Sequence, residues 1–292
     1  MRNRLNNAAV CSDVGNGRQD NQDNFYLDGI FDSDKKESFI SKKISFKRYA
    51  LFAVADGMGG QSFGEYASRT AMSFLRNYFF KKDLKVDSRI EEYIYAANEE
   101  LCSHAAKTGT RIGTTLVVLS IEKDKARVYN IGDSRCYLYR KGKLSQLSKD
   151  HTLAAELVAM NVLSPVEAEN DSRKHQLTQH MGLSQEEMLL SVYRSPEIAL
   201  KGGDRLLLCS DGVTDALNEG EIAGVLSGKG SSKRIANDIV FKALDKNAGD
   251  NITALVVSIV DTARGKRLRN LIWGGLLLLA AAAGIVTGLL LS

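Results

Sequence analysis

Residues 271–291 read LIWGGLLLLAAAAGIVTGLLL, 21 residues without a charge, in which only Trp273 and Thr287 carry a polar side-chain group. A helix rises about 1.5 Å per residue, so this run spans roughly 30 Å, the thickness of a bilayer's hydrocarbon core. A soluble helix of that length normally keeps a polar face. The segment is therefore expected to be a transmembrane helix. Arg264, Lys266, Arg267 and Arg269 stand just before it, and by the positive-inside rule they hold the preceding residues in the cytoplasm. Only Ser292 follows, so the anchor is read as C-terminal. Gly284 and Gly288 form a GxxxG pair, a spacing that would allow a weak homodimer through the membrane helix; glycine is also simply common in such helices.

All other work falls to residues 1–262, joined to the anchor by a basic linker at residues 263–270. No repeat or low-complexity stretch breaks them, and the chain has only two prolines, Pro165 and Pro196, which reads as one continuous domain. With 44% hydrophobic and 25% charged residues, it has the composition of a globular protein with a full core. The net charge of +4 lies largely in the juxtamembrane cluster, so no nucleic-acid partner is indicated. The four cysteines (Cys11, Cys102, Cys136, Cys209) lack CxxC spacing, which argues against a zinc site or a disulfide framework. Residues 1–20 contain no apolar core of a secretory signal.

Residues 49–55 (YALFAVA) form a short apolar run ending in Asp56-Gly57, read as a buried strand and then a turn. Helical spacing runs through 64–80 and 90–107. Residues 114–121, 126–131 and 136–139 are β-rich, with hairpin loops at 122–125 and 140–143. Short helices are expected at 152–161 and 164–170, a strand at 205–209, helices at 218–226 and 231–244, and a last strand at 253–260. Hairpins outnumber helical crossovers. The expected fold is an α/β (α+β) layered sandwich, with two mainly antiparallel sheets flanked by pairs of helices.

Several apolar runs meet an aspartate beside a glycine or asparagine: Asp56-Gly57, Gly132-Asp133, Asp211-Gly212 and Asp250-Asn251. One such aspartate is ordinarily a turn former. Four that converge would repel one another unless cations sat among them. Carboxylate and backbone oxygens, with no histidine or cysteine at ligand spacing, suit magnesium or manganese. Two such ions about 4 Å apart can share a water as nucleophile for in-line displacement at phosphorus.

The ordered motifs Arg18-Gln-Asp-Asn-Gln-Asp23, Asp56-Gly-Met-Gly-Gly60, Gly113-Thr-Thr115, Gly132-Asp-Ser-Arg135, Ser148-Lys-Asp-His-Thr152, Asp211-Gly-Val-Thr-Asp215 and Asp250-Asn-Ile-Thr253 resemble the PPM-type family, the protein phosphatases 2C, in its bacterial branch. The resemblance covers about residues 8–260. It implies a metal-dependent protein serine/threonine phosphatase, acting on phosphorylated proteins and opposing serine/threonine kinases at the membrane. By the same resemblance, Asp56 bridges two Mn²⁺ or Mg²⁺ ions and the Gly57 carbonyl completes one site. Asp211 and Asp250 hold the other ion, and Asp133 holds a third, weaker one. Asp23 and Gln22 act through metal-bound water, Asp215 supports the same shell, and Arg18 grips the substrate phosphate. Water attacks phosphorus directly, without a phosphoenzyme.

Two positions depart from the animal members. Met58 stands where those have a histidine assigned as general acid, so the leaving group has to be protonated by metal-bound water or another group. His151 is a candidate, though a structural role in its turn is the commoner fate of such a histidine. Gln22 replaces a frequent glutamate and removes one charge. Residues 151–190 would form a flap over the site. A pseudophosphatase that binds phosphoproteins without turnover would require a missing metal aspartate, and all four are present. A scaffold reading leaves the aspartates unexplained.

Overall fold

Along Tyr49–Met58, Ala50, Phe52 and Val54 point to one side and Leu51, Ala53 and Ala55 to the other, and all six are buried. A strand that is apolar on both faces must be covered on both. A computed structural model describes residues 5–31, 39–45, 49–59, 63–79, 86–184, 186 and 188–260 and shows how that is done. The strands are β1 (Leu5–Asp13), β2 (Asp23–Leu27), β3 (Ile30–Phe31), β4 (Phe39–Ser45), β5 (Tyr49–Met58), β6 (Gly113–Thr114), β7 (Leu116–Glu122), β8 (Lys125–Ile131), β9 (Arg135–Arg140), β10 (Lys143–Gln146), β11 (Tyr193–Arg194), β12 (Ile198–Ala199), β13 (Arg205–Cys209) and β14 (Ile252–Val260). The helices are α1 (Phe63–Phe79), α2 (Val86–Thr108), α3 (Leu153–Ala159), α4 (Pro165–Asn170), α5 (Asp211–Ala216), α6 (Glu219–Ser227) and α7 (Ser232–Asp245).

One sheet runs β10-β9-β13-β14-β1-β4 and the other β11-β8-β7-β5-β2-β3. Every strand pairing among the described residues is antiparallel. Phe25, Phe52, Val54, Leu119, Leu208 and Val257 fill the space between the sheets. Leu51, Ala53 and Val118 face α1 and α2, whose Ala71, Leu75, Ile94 and Leu101 cover them. Leu207, Ala254 and Val256 face α6 and α7 through Ile222, Ile235 and Ile239. The layers are thus helix, sheet, sheet, helix, as expected from the sequence. Helix starts follow local chemistry. Ser164 with Glu167 and Asn218 with Glu221 make capping boxes, and Ser231 caps α7.

The structure contains elements that the sequence pattern does not mark, β1 to β4, β11, β12 and α5. β1 lies between β14 and β4 and β2 between β3 and β5. Asp56-Gly57 is not a turn: β5 continues through it, pairing Gly57 with Thr114 and Met58 with Gly113. Among the described residues no helix is long and apolar enough to cross a membrane. The expected linker, residues 263–270, and the expected span, residues 271–291, lie outside the described residues.

The ladder registers gather the motifs at one end of the sandwich. Asp23 pairs with Asp56, Leu116 with Ile131, and Cys209 with both Arg135 and Ala254. Asp133, Asp211 and Asp250 occupy the turns or helix start just beyond these pairs.

Candidate metal centre

A cleft of about 450 Å³ at that end is lined by Arg18, Gln22, Asp56, Gly57, Asp133, Asp211 and Asp250. The expected ligands therefore converge. The backbone around them leaves little freedom. A Cβ on Gly57 would lie 2.0 Å from the Gly64 carbonyl oxygen, so only glycine lets β5 pass under α1 there. Gly132 has φ +92°, and a Cβ would fall 2.7 Å from the Thr115 methyl. Thr115 needs that position: its hydroxyl accepts from the Asp56 N–H (2.9 Å) and bonds to Ser134 (2.7 Å), joining three motifs. Arg135 grips Asp150 through two nitrogens (2.8 and 2.6 Å), fixing the start of the flap.

Asp23 is buried beneath the cleft. Its Oδ2 accepts from Ser210 (2.6 Å) and Thr253 (2.7 Å), while its Oδ1 has no partner. Asn251 accepts from the Gln22 N–H (2.8 Å) and donates to the carbonyls of Val14 (2.9 Å) and Asp20 (3.0 Å), locking the N-terminal loop to the start of β14. Arg18 donates to both Asp250 oxygens, at 2.9 and 2.7 Å. The expected phosphate grip and the expected metal ligand thus hold each other.

Burial and mutual repulsion load this end with strain in its charges. Desolvation first, and then Asp211, Asp23 and Asp133, hold the Asp56 carboxyl well above the usual carboxylate range. Asp133 is raised by burial and by Asp211. Burial pushes Asp23 up to about 7, against its two hydroxyl donors. Asp211 rises to about 6, through burial and then Asp215 and Asp250. Its Oδ1 is also buried without a partner. Unpaired buried oxygens and crowded anions are what bound divalent cations relieve, and an almost all-oxygen donor set suits hard ions. The residues present fit Mn²⁺ or Mg²⁺.

Asp215 lies at the rim rather than inside, 3.3 Å from Lys174 Nζ and 3.7 Å from His175 Nδ1. His175, Asp211 and Asp215 bring ligand atoms within 4.8 Å of one another. His175 was not singled out in the sequence. It sits in a 3₁₀ turn of the flap (Ser172–His175), which has no apolar periodicity to mark it; the only signal was a basic Arg173-Lys174-His175 run in the expected flap. His151, in contrast, is structural. Its Nδ1 accepts from the Gly132 N–H (3.2 Å) and burial lowers its pKa. Burial pushes the Cys11 thiol up to about 11 and Cys209 to about 12, so neither supplies a thiolate nucleophile.

The fold and the acidic cleft define a class, and comparison with known proteins agrees with it. Residues 12–157 match the family model for Protein phosphatase 2C. The serine/threonine phosphatase stp of Listeria welshimeri is 30% identical over 257 residues, covering 86% of this chain and 94% of that one. The solved structure of the Mycobacterium tuberculosis serine/threonine phosphatase PstP/Ppp superposes with a TM-score of 0.73 at 25% identity, covering 88% of this chain and 99% of that one. A PstP catalytic domain solved in complex with two manganese ions gives a TM-score of 0.71 at 26% identity, covering 88% and 100%. This chain belongs to the protein phosphatase 2C family.

Proposed function

We propose that this chain hydrolyses phosphoserine and phosphothreonine on proteins, using two Mn²⁺ or Mg²⁺ ions. The observation that carries this is the convergence of Asp56, Asp133, Asp211 and Asp250 with Arg18 on one cleft in a member of a phosphatase family. Asp56 with the Gly57 carbonyl, Asp211 and Asp250 would hold the two ions, and Asp133 a third, weaker one. When bound, such ions supply positive charge that acidifies water and draws electron density from the phosphoryl oxygens. The chain's own residues do the rest. Arg18 binds the phosphate, for which a planar two-pronged guanidinium is suited, by exchanging Asp250 for it. Ser210 and Thr253 hold Asp23 under the cleft with one oxygen aimed free. His175 and Leu177 bring the flap to its rim. Hydrolysis of a phosphothreonine peptide with manganese tests the reading; no turnover by the folded, metal-loaded chain would refute it.

The finer reading is a single-pass membrane protein, anchored by residues 271–291, with the catalytic domain in the cytoplasm, where it opposes a serine/threonine kinase. The uncharged run and the basic cluster before it support the anchor and its orientation. Gly284 and Gly288 support a weak homodimer through that helix.

A further inference from the structure

The last described strand ends at the end of the sandwich opposite the cleft. β14 begins beside Asp250 and ends at Val260, which at about 3.3 Å per residue puts the exit roughly 26 Å from the catalytic end. This far end is one connected surface of turns. Gly203 N–H donates to the Ile259 carbonyl (2.8 Å) and Ile259 N–H to that of Asp204 (2.9 Å), so the turn before β13 lies against the exit. Leu200 N–H donates to the Asp124 carbonyl (2.7 Å), adding the β7–β8 turn. Arg140, at the β9–β10 turn, donates to the Ala199 carbonyl (2.7 Å) and to both Asp204 oxygens (2.8 and 2.7 Å). Arg205 donates to the carbonyls of Leu226 and Gly228, adding the α6–α7 turn.

Lysines crown these turns. Lys123, Lys141, Lys143, Lys201 and Lys229 are exposed and have no carboxylate partner among the described residues. Of the nearby acids, Asp204 is buried against Arg140 and Glu197 is paired with Lys125 (2.5 Å), leaving Glu122 and Asp124. Lys123 and Lys141 have φ of 58° and 51°, a region where asparagine, aspartate or glycine is the ordinary choice. Turn shape alone does not call for lysine at either place.

Beyond Val260 the sequence adds Asp261, then four basic residues, and then the apolar run from Leu271. The ten residues 261–270 reach at most about 35 Å even if fully extended. An anchor there keeps the lysine-bearing end close to the headgroups, where an anionic leaflet attracts basic groups within about a Debye length. Resting on the membrane-anchor reading, we infer that this end, centred on Lys141, Lys143 and Lys201, seats on the anionic bilayer surface and turns the catalytic cleft away from the membrane. The cleft then faces phosphorylated proteins approaching from the cytoplasm rather than phosphosites lying at the headgroups.

The test reconstitutes the full chain into vesicles of phosphatidylcholine alone or with phosphatidylglycerol. Flotation with the vesicles reports the anchor, and backbone hydrogen exchange at residues 122–125, 140–143 and 201–204 reports the docking. Flotation is expected in both lipids, with several-fold slower exchange at those turns only in the anionic vesicles. The protection should vanish at high salt and in the triple variant Lys141→Glu, Lys143→Glu, Lys201→Glu, whose flotation and activity on a soluble phosphopeptide stay unchanged. A chain that does not float removes the anchor reading and the docking with it. A chain that floats but exchanges equally in both lipids keeps its anchor and overturns the docking alone.

Discussion

Arg18 and Asp250 are joined by two hydrogen bonds of 2.9 and 2.7 Å across the mouth of the cleft. The pair is half-exposed, with side-chain exposures of 58% and 35%, so solvent screens it and its net stabilisation is small. It can therefore yield to a stronger partner on either side. On the proposed reading the arginine would be released toward a phosphate dianion and the aspartate toward a divalent cation, so that binding of one would assist the other.

Replacing Arg18 tests this exchange. If its phosphate contact is similar in ground and transition states, Arg18→Ala should raise KM for a phosphopeptide more than it lowers kcat. The same variant frees Asp250, so manganese should bind severalfold more tightly in calorimetry without substrate. An unchanged KM with a pure loss of kcat would mean the guanidinium acts only on the transition state.

The proposed metal ligands should show a larger and different effect. Asp56→Asn and Asp211→Asn should each lower kcat at least about a hundredfold, and EDTA should abolish turnover of the native chain. Turnover that persists undiminished in EDTA would remove the two-ion mechanism.

The raised carboxylates make a prediction about pH. Asp23 is pushed up to about 7 and Asp211 to about 6, from 3.8. Between about pH 4 and 7 the folded chain without divalent ions holds protons that the unfolded chain has released, so its stability falls as pH rises through that window. A cation that binds the ionised carboxylates offsets the repulsion. In EDTA, Tm should fall from about pH 5 to about pH 8, and the rise in Tm on adding manganese should be larger at the higher pH. A manganese effect that shrank with pH would show that these carboxylates do not hold it.

How much of this was legible in the sequence depended on where the signal was local. YALFAVA and RLLLC read as strands because both faces are covered and the apolar runs are unbroken. β1 carries Asn6, Asn7, Ala8 and Ala9, residues with little strand signal of their own, and becomes a strand only through β14 and β4, far away in the chain. The aspartates stood out because each follows or precedes an apolar run. The hydroxyls of Ser210 and Thr253 that hold Asp23 did not, because their role exists only once residues about two hundred positions apart are brought together.

Met58 lines the cleft and cannot donate a proton. His151 accepts from Gly132 through Nδ1 and is not among the residues lining the cleft, so on the proposed mechanism the leaving group would draw its proton from water or from the flap side. Met58→Ala should change the rate only modestly. Phosphoserine peptides, whose alkoxide leaves poorly, should suffer no more than an aryl phosphate. A selective collapse on phosphoserine would place the Met58 position on the proton path.

Removal of the C-terminal segment separates catalysis from location. Every proposed ligand, from Arg18 to Asp250, precedes β14, whose last residue is Val260. The solved PstP domains that superpose on this chain are themselves covered over 99% and 100% of their length by it, so a chain cut after Asp261 keeps the whole shared fold. That truncation should leave kcat and KM on a soluble phosphopeptide within about twofold, because no step uses the missing residues. The full chain should resist extraction by salt or alkali and need detergent, as a helix embedded in hydrocarbon does. On the proposed orientation, in which Arg264 to Arg269 would keep the domain on the cytoplasmic side, a protease added outside intact cells should leave it uncut. If the full chain fractionated without detergent there would be no anchor, and if the domain were digested from outside, the orientation would be the reverse of the one argued here.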